Sequence, residues 1–276
     1  MTFRIISDSS SDVRNLDNKL YKQVPLTIIA DDVEYKDNQE LDIKKMQMSL
    51  SNAKNSGTSC PNIDEWMTTF EGADSIFVVT ITSQLSGSYS SAVQAAEIFK
   101  EKNPNINIKV IDSKSTGPEM GLIIEKLDQM IEEGLSFQEI ADNITEYQKK
   151  TRLLAALSSL DNMAKNGRVN SAIAKCAKLL NIKIIITASS EGKLELITKV
   201  RSQKKFLNTL LEQMNSNGYS GGKVKVNHVN NPILAESIQS LINQNYPQAI
   251  VEITPCQGLC SYYAEDGGIL IGYELK

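Results

Sequence analysis

Short apolar runs alternate with amphipathic stretches along the first half of the chain. Residues 3–7, 24–30, 33–35, 76–81 and 106–111 are rich in β-branched and aromatic side chains and predict strands, with a turn at Asp31-Asp32. Between them, Leu41, Met46 and Leu50 mark a helix that ends before Gly57. Asn62 and Glu65 form a capping-box signal ahead of Trp66 and Phe70, and residues 94–99 continue another helical pattern. Met120, Ile123, Ile124, Leu127 and Ile131 then share one helical face. Ser136 with Glu139 opens a further helix, whose stripe is Phe137, Ile140, Ile144 and Tyr147. Strands alternating with helices predict an α/β domain, residues 1–152, built on a largely parallel sheet covered by helices on both faces.

The pattern changes after that. Residues 153–157 predict a strand, followed by a short helix that stops at Gly167, and Asn170 caps a helix rich in alanine and lysine. Residues 182–187 and 194–200 predict a hairpin across Glu191-Gly192. Helix 203–215, strand 223–229, helix 232–244 and strand 250–254 follow, and a last strand covers 269–275. Pro232 behind Asn231 is a good helix start. Residues 153–276 therefore predict a second, smaller domain of mixed α/β type.

Composition narrows the possible functions. The chain has 276 residues, 41% hydrophobic and 22% charged, which suits a globular protein with a real core. A net charge of −4 argues against a nucleic-acid partner. No apolar run reaches the roughly 20 residues of a membrane span, and the chain enters its first strand without a signal-peptide pattern. Four cysteines are too few for a disulfide framework, and Cys256 and Cys260, the close pair, have no histidine nearby to make a metal site. The expectation is a cytoplasmic protein with reduced thiols, no metal and no cofactor.

The chemistry that remains is a set of hydroxyls. Ser86 stands where a helix N-cap is expected, in the strand-to-helix turn 82–88, and Gly87 allows close approach to the backbone. The unpaired N–H groups of a first helical turn suit an anion. A second hydroxyl pair, Thr58 and Ser59, stands upstream of another helix, so the two turns can converge on one small acidic group. Taken alone the serines read first as simple helix caps, and it is the second hydroxyl pair that shifts the balance toward a site. Asp8-Ser9-Ser10-Ser11-Asp12 lies at the carboxyl end of the first strand, where open α/β sheets place ligand loops. His228 is the single histidine, residue 84 is Gln rather than the Gly of a nucleophile elbow, and neither nucleotide-binding glycine motif is present. Hydroxyls without a general base fit binding better than turnover. A serine-dependent hydrolase or phosphotransferase using Ser86 is the alternative.

Taken in order, Asp8-Ser9-Ser10-Ser11-Asp12, Thr58-Ser59-Cys60-Pro61, Leu85-Ser86-Gly87-Ser88-Tyr89, Asp112-Ser113, Gly167-Arg168-Val169 and Lys199-Val200-Arg201 resemble the DegV family over essentially the whole chain. The resemblance implies two α/β domains with a long-chain fatty acid between them, handed on in bacterial members to a separate fatty acid kinase. It implies a non-catalytic lipid-binding protein whose head-group ligands are the hydroxyls of Thr58, Ser59 and Ser86 with the N–H groups of Gly87 and Ser88. Which of Thr58 and Ser59 points inward is left open. Arg168 and Arg201 match family positions near the mouth, where a cation meets a carboxylate or a phosphoryl group. Tyr263 stands where the family's closing motif has a histidine, followed by Glu265 and Asp266.

Overall fold

A computed structural model describes residues 2–16, 20–169, 173 and 182–276. In chain order the first part forms β1 (Phe3–Asp8), β2 (Tyr21–Val24), β3 (Thr27–Ala30), β4 (Val33–Lys36), α1 (Ile43–Asn52) and β5 (Ser56–Ser59). It continues with α2 (Ile63–Phe70), β6 (Ser75–Thr80), α3 (Ser88–Lys102), β7 (Asn107–Asp112), α4 (Pro118–Glu132) and α5 (Phe137–Gln148). Strands in the order β2-β1-β6-β7 make one sheet, and every pair in it is parallel. Alternate side chains leave a strand on opposite faces. Ile6, Ile76 and Val78 accordingly meet Trp66, Phe70, Ala92 and Ala95 of α2 and α3. Ile5, Phe77 and Val79 meet Met120, Ile123, Leu127 and Ile140 of α4 and α5. All of β6 is buried, the condition under which a strand reads as an unbroken apolar run. The capping boxes expected at Asn62/Glu65 and Ser136/Glu139 are both formed.

Residues 24–30 are not one strand. The chain leaves the parallel sheet at Val24 and enters a separate three-stranded antiparallel sheet at Thr27, in the order β4-β3-β5. Pro25 lies at the break, and a proline supplies no N–H to a strand ladder. Thr58 and Ser59 lie within β5, paired with Ile28 and Thr27, rather than in a pre-helical turn.

The second part contains β8 (Thr151–Leu157), α6 (Asp161–Lys165), β9 (Lys183–Ala188), β10 (Leu194–Val200), α7 (Gln203–Ser216), β11 (Val224–His228), α8 (Pro232–Asn245), β12 (Val251–Pro255), α9 (Gly258–Ala264) and β13 (Ile269–Glu274). Its six-stranded sheet runs β10-β9-β8-β13-β11-β12, with only the β11–β12 pair parallel. The molecule is thus a two-domain α/β protein with one parallel and one mixed sheet. The expected hairpin is the β9–β10 pair. The helix expected after Asn170 lies outside the described residues.

Helix α9 was not anticipated, and it ties the two parts together. Leu259 and Tyr262 are packed in the first sheet's core with Leu26 and Ile28. The buried carboxylate of Asp37 accepts the N–H groups of Gly258 and Leu259, each at 2.9 Å. Arg14 Nη2 lies 3.6 Å from the same carboxylate. Asp12 accepts the Gln257 N–H at 2.9 Å and Asn227 Nδ2 at 2.7 Å. A side chain at Gly258 would run into Leu41 and Asp37, so only glycine lets the helix start this close. On the opposite side of the junction, Gly272 of β13 touches the Pro118–Glu119 backbone of α4. Glu125 of α4 pairs with Lys223 at 2.9 Å and with Lys225, and both lysines also reach Glu252 of β12 at 2.7 Å.

Asp12 generates a pH prediction. Burial pushes its pKa up from 3.8 to about 7, against the lowering effect of its hydrogen bonds to Asn227 and Gln257. The folded protein then holds a proton that the unfolded chain has released, so the contribution of Asp12 to stability falls as pH rises from about 4 to about 7 and is level above that. Urea denaturation at pH 5 and pH 7.5 should show wild-type stability dropping across this interval, with a smaller drop in Asp12→Asn. Equal drops in the two proteins would refute it.

Candidate functional site

The carboxyl ends of β1 and β6 in the parallel sheet are held by one buried acid. Asp8 Oδ1 accepts the Ser10 N–H at 3.2 Å and the Ser10 hydroxyl, and Oδ2 accepts the Ile81 N–H at 2.9 Å and Ser88 Oγ at 2.6 Å. Burial raises the Asp8 pKa, and these four donors oppose that shift. The acid therefore clamps the loop after β1, the loop after β6 and the start of α3. Helix α3 begins at Ser88, with Gly87 in the capping position, so Ser86 is one residue short of the cap expected of it. Ser86 Oγ instead accepts the Ser88 N–H at 3.2 Å.

Beside the loop and turn that this clamp holds lies a cavity of about 270 Å³ lined by both domains. Ile81 and Leu85 come from the loop after β6, and Leu26 from the segment between the first two sheets. The mixed sheet contributes Leu153, Ala155, Ile186, Leu194 and Leu270, and α9 contributes Leu259, Cys260 and Ala264. Against this apolar wall stand Thr58, Ser59, Ser86, Gly87, Tyr263 and Arg168, which also line the cavity. The Thr58 hydroxyl and the Tyr263 hydroxyl are 2.8 Å apart. Gly87 lies against Cys60, the residue after Ser59, which brings β5 and the turn before α3 together. Arg168 follows Gly167, whose φ of 67° forms a left-handed helix end. The Arg168 N–H closes that end on the Met163 carbonyl at 2.8 Å.

Six of the eight residues singled out by sequence thus meet at one cavity, and two do not. Both polar groups of Ser88 are engaged elsewhere, its hydroxyl on Asp8 and its N–H on Ser86. Arg201 is exposed just ahead of the α7 cap Ser202 and does not line the cavity. The acids beside Tyr263 face away from it: Glu265 accepts the Asn162 N–H at 3.0 Å and Asp266 accepts Asn230 Nδ2 at 2.9 Å. Sequence reasoning missed Cys260, Leu259 and Met163 as lining residues. The apolar run of α9 was the available signal for the first two. His228 is outside the cavity lining, its Nδ1 accepting the Asn231 N–H at 3.3 Å. Among the described residues no helix is long and apolar enough to cross a membrane, and no cluster of potential metal ligands occurs.

An apolar cavity between two α/β domains, with a few convergent polar groups, defines a small-molecule binding protein. The chain belongs to the DegV family: the model described as an uncharacterised protein of that family matches residues 2–275. A DegV domain-containing protein of Streptococcus gordonii is 43% identical over 280 residues, covering 100% of both chains. Among solved structures, a DegV family protein from Eubacterium eligens loaded with heptadecanoic acid is 46% identical. That match covers 99% of this chain and 100% of the other with a TM-score of 0.96. The Fatty Acid Kinase (Fak) B3 protein of Streptococcus pneumoniae, loaded with linoleic acid, is 42% identical with a TM-score of 0.97 and full coverage of both chains.

The Asp8 clamp is testable without a ligand. Asp8→Ala leaves the Ile81 N–H and the Ser88 hydroxyl without their acceptor and should destabilise the protein by about 3 kcal/mol. Hydrogen exchange should show the Ile81 amide losing protection more than the α5 amides. Unchanged protection at Ile81 would show that the loop is held by other contacts.

Proposed function

We propose that this protein binds a long-chain fatty acid in the interdomain cavity and presents it to a separate fatty acid kinase. The observation that carries the reading is the juxtaposition of an apolar interdomain cavity with the Thr58, Ser59, Ser86 and Tyr263 hydroxyls, and its support is the fatty acid in the similar structures. Each methylene removed from water contributes about 0.8 kcal/mol, so a long acyl tail supplies most of the affinity. The carboxylate needs donors once it is covered. Three serine and threonine hydroxyls, the Gly87 N–H and the Tyr263 phenol supply them, and Arg168 adds a positive charge. Ser88 supports the turn through Asp8 rather than touching the ligand. On this reading the first domain ends near residue 150, since Thr151 and Arg152, expected in the first domain, already pair with β13 as part of β8. The acyl chain lies between the domains, and the protein works in the cytoplasm.

The protein acts as a binder and contributes no catalytic group of its own. A nucleophilic Ser86 would need a base, and the single histidine is held at the end of β11 by the Asn231 N–H. The kinase would supply the phosphoryl chemistry, with Arg201 on the exposed surface as a contact for it. The support for that partner is the name of the similar Fak B3 protein.

Native mass spectrometry of the purified protein should show a bound species with the mass of a long-chain fatty acid. Ser86→Ala should weaken uptake by about tenfold or more, the cost of one hydrogen bond to a charged group. Tyr263→Phe should have a smaller effect, and Tyr263→His should make binding tighter at pH 6 than at pH 8, because an imidazolium adds a charge that is lost on deprotonation. A ligand-free protein that takes up no added fatty acid, or that hydrolyses esters through Ser86, would refute the reading.

Arg201 gives a separate prediction. Arg201→Glu should leave fatty-acid uptake unchanged and lower phosphorylation of the bound acid by a fatty acid kinase. Equal loss in both assays would place Arg201 at the ligand instead.

A further inference from the structure

Tyr262, the neighbour of Tyr263 on α9, is 2% exposed and outside the cavity lining. Its ring packs edge-on against Tyr263, with centroids 4.8 Å apart. Its hydroxyl makes two hydrogen bonds to two different segments. It donates to Ser56 Oγ at 2.8 Å and accepts from Asn166 Nδ2 at 2.9 Å. Ser56 begins β5, and Thr58 stands two residues further on the same strand face. Asn166 is the cap of α6, followed directly by Gly167 and Arg168. It also donates to the Asn162 carbonyl at 2.8 Å, and Asn162 in turn donates to the Tyr262 carbonyl at 2.8 Å.

We propose that Tyr262 is a positioning residue for the polar end of the cavity, its hydroxyl holding the strand that carries Thr58 and Ser59 at a set distance from the turn that carries Arg168. The proposal rests on the fatty-acid reading above. Arg168 is the only cation among the described lining residues, and it comes from a different domain than the β5 hydroxyls. The two segments lie side by side here, Gly57 of β5 facing Asn166 Oδ1. The Tyr262 hydroxyl is the group that bonds to both, and Tyr263 on the next position of α9 reaches Thr58 on the same strand. Two adjacent phenols thus hold β5 at Ser56 and Thr58, and the first of them also reaches across to Asn166. Binding of a carboxylate depends on donors and charge arriving at one point together, so loosening this bridge should affect the head group and leave the tail contacts in place.

Tyr262→Phe keeps the ring, its burial and its contact with Tyr263, and removes only the bridge. Binding is read by displacement of a fluorescent fatty-acid probe with myristic acid and, separately, with 1-tetradecanol, which has the same tail and no charge. The expected result is about tenfold weaker binding of the acid and at most about twofold of the alcohol, with an unchanged circular-dichroism spectrum. Asn166→Ala breaks the arm to Arg168 together with the Asn166 bond to the Asn162 carbonyl, keeps the Tyr262–Ser56 bond, and should show the same selectivity for the acid. Combining it with Tyr262→Phe should add little, because both cut one chain of bonds. If Tyr262→Phe does not fold, the acid-to-alcohol ratio of Asn166→Ala decides the matter by itself. Wild-type affinity for the acid in the variants, or equal loss for acid and alcohol, overturns the positioning role. A wild-type protein that binds neither competitor nor probe overturns instead the fatty-acid reading on which the proposal rests.

Discussion

The arrangement of this molecule depends on where its buried carboxylates find donors. A charge taken out of water is tolerated only when hydrogen bonds replace those it lost. Asp37 finds them in the first N–H groups of α9, which a helix leaves unpaired. The acid comes from the loop after β4 and the helix from the far end of the chain, so satisfying Asp37 requires the two parts to meet. Asp12 repeats the arrangement one residue earlier, at Gln257, and adds Asn227 of β11. With α9 held at its start by these acids, Leu259, Cys260, Tyr263 and Ala264 fall along the cavity wall.

The remaining contacts across the junction are of different strength. Glu125, Lys223, Lys225 and Glu252 form a connected ion network at a partly exposed edge, where each pair alone contributes little. The close approach of α4 to Gly272 is a packing contact, and it leaves no room for a side chain. The third contact is polar and shielded: Glu119 at the start of α4 accepts the Thr151 hydroxyl at 2.8 Å and that of Ser115, and burial raises its pKa. Polar bonds and close packing therefore fix the relative position of the domains, while an apolar cavity is left open between them. A rigid frame around an apolar space can admit a flexible tail without first being reordered, which limits the cost of binding.

The polar end of the cavity uses few charges. Hydroxyls that are already bonded to one another, such as Thr58 and Tyr263, can turn to a carboxylate without stranding a buried charge when the site is empty. The acids that follow Tyr263 in sequence are turned away, one to the start of α6 and the other to Asn230. Glu265 and Asp266 thus have donors of their own, and the charged side chain that lines the cavity with Tyr263 is Arg168.

The sequence by itself determined three of the four strands of the parallel sheet (its edge strand β2 at 21–24 was not among them), its covering helices, both capping boxes, the β9–β10 hairpin and the family. These rest on signals that span a few residues: alternation along a strand, spacing along a helix, and a cap with its partner three positions away. It also named Thr58, Ser59, Ser86, Gly87, Arg168 and Tyr263, which line one cavity. Only the tertiary structure decided that Thr58 and Ser59 belong to a strand, that the chain changes sheets at Pro25, and that residues 258–264 form a helix serving the opposite domain. The same holds for side chains with two available uses. The Ser88 hydroxyl is taken by Asp8, 80 residues earlier, and the Tyr262 hydroxyl by Ser56, 206 residues earlier. Local pattern records which residues can donate and which face they share. Which acceptor each one reaches depends on the segments that packing brings alongside, and no short-range spacing carries that information.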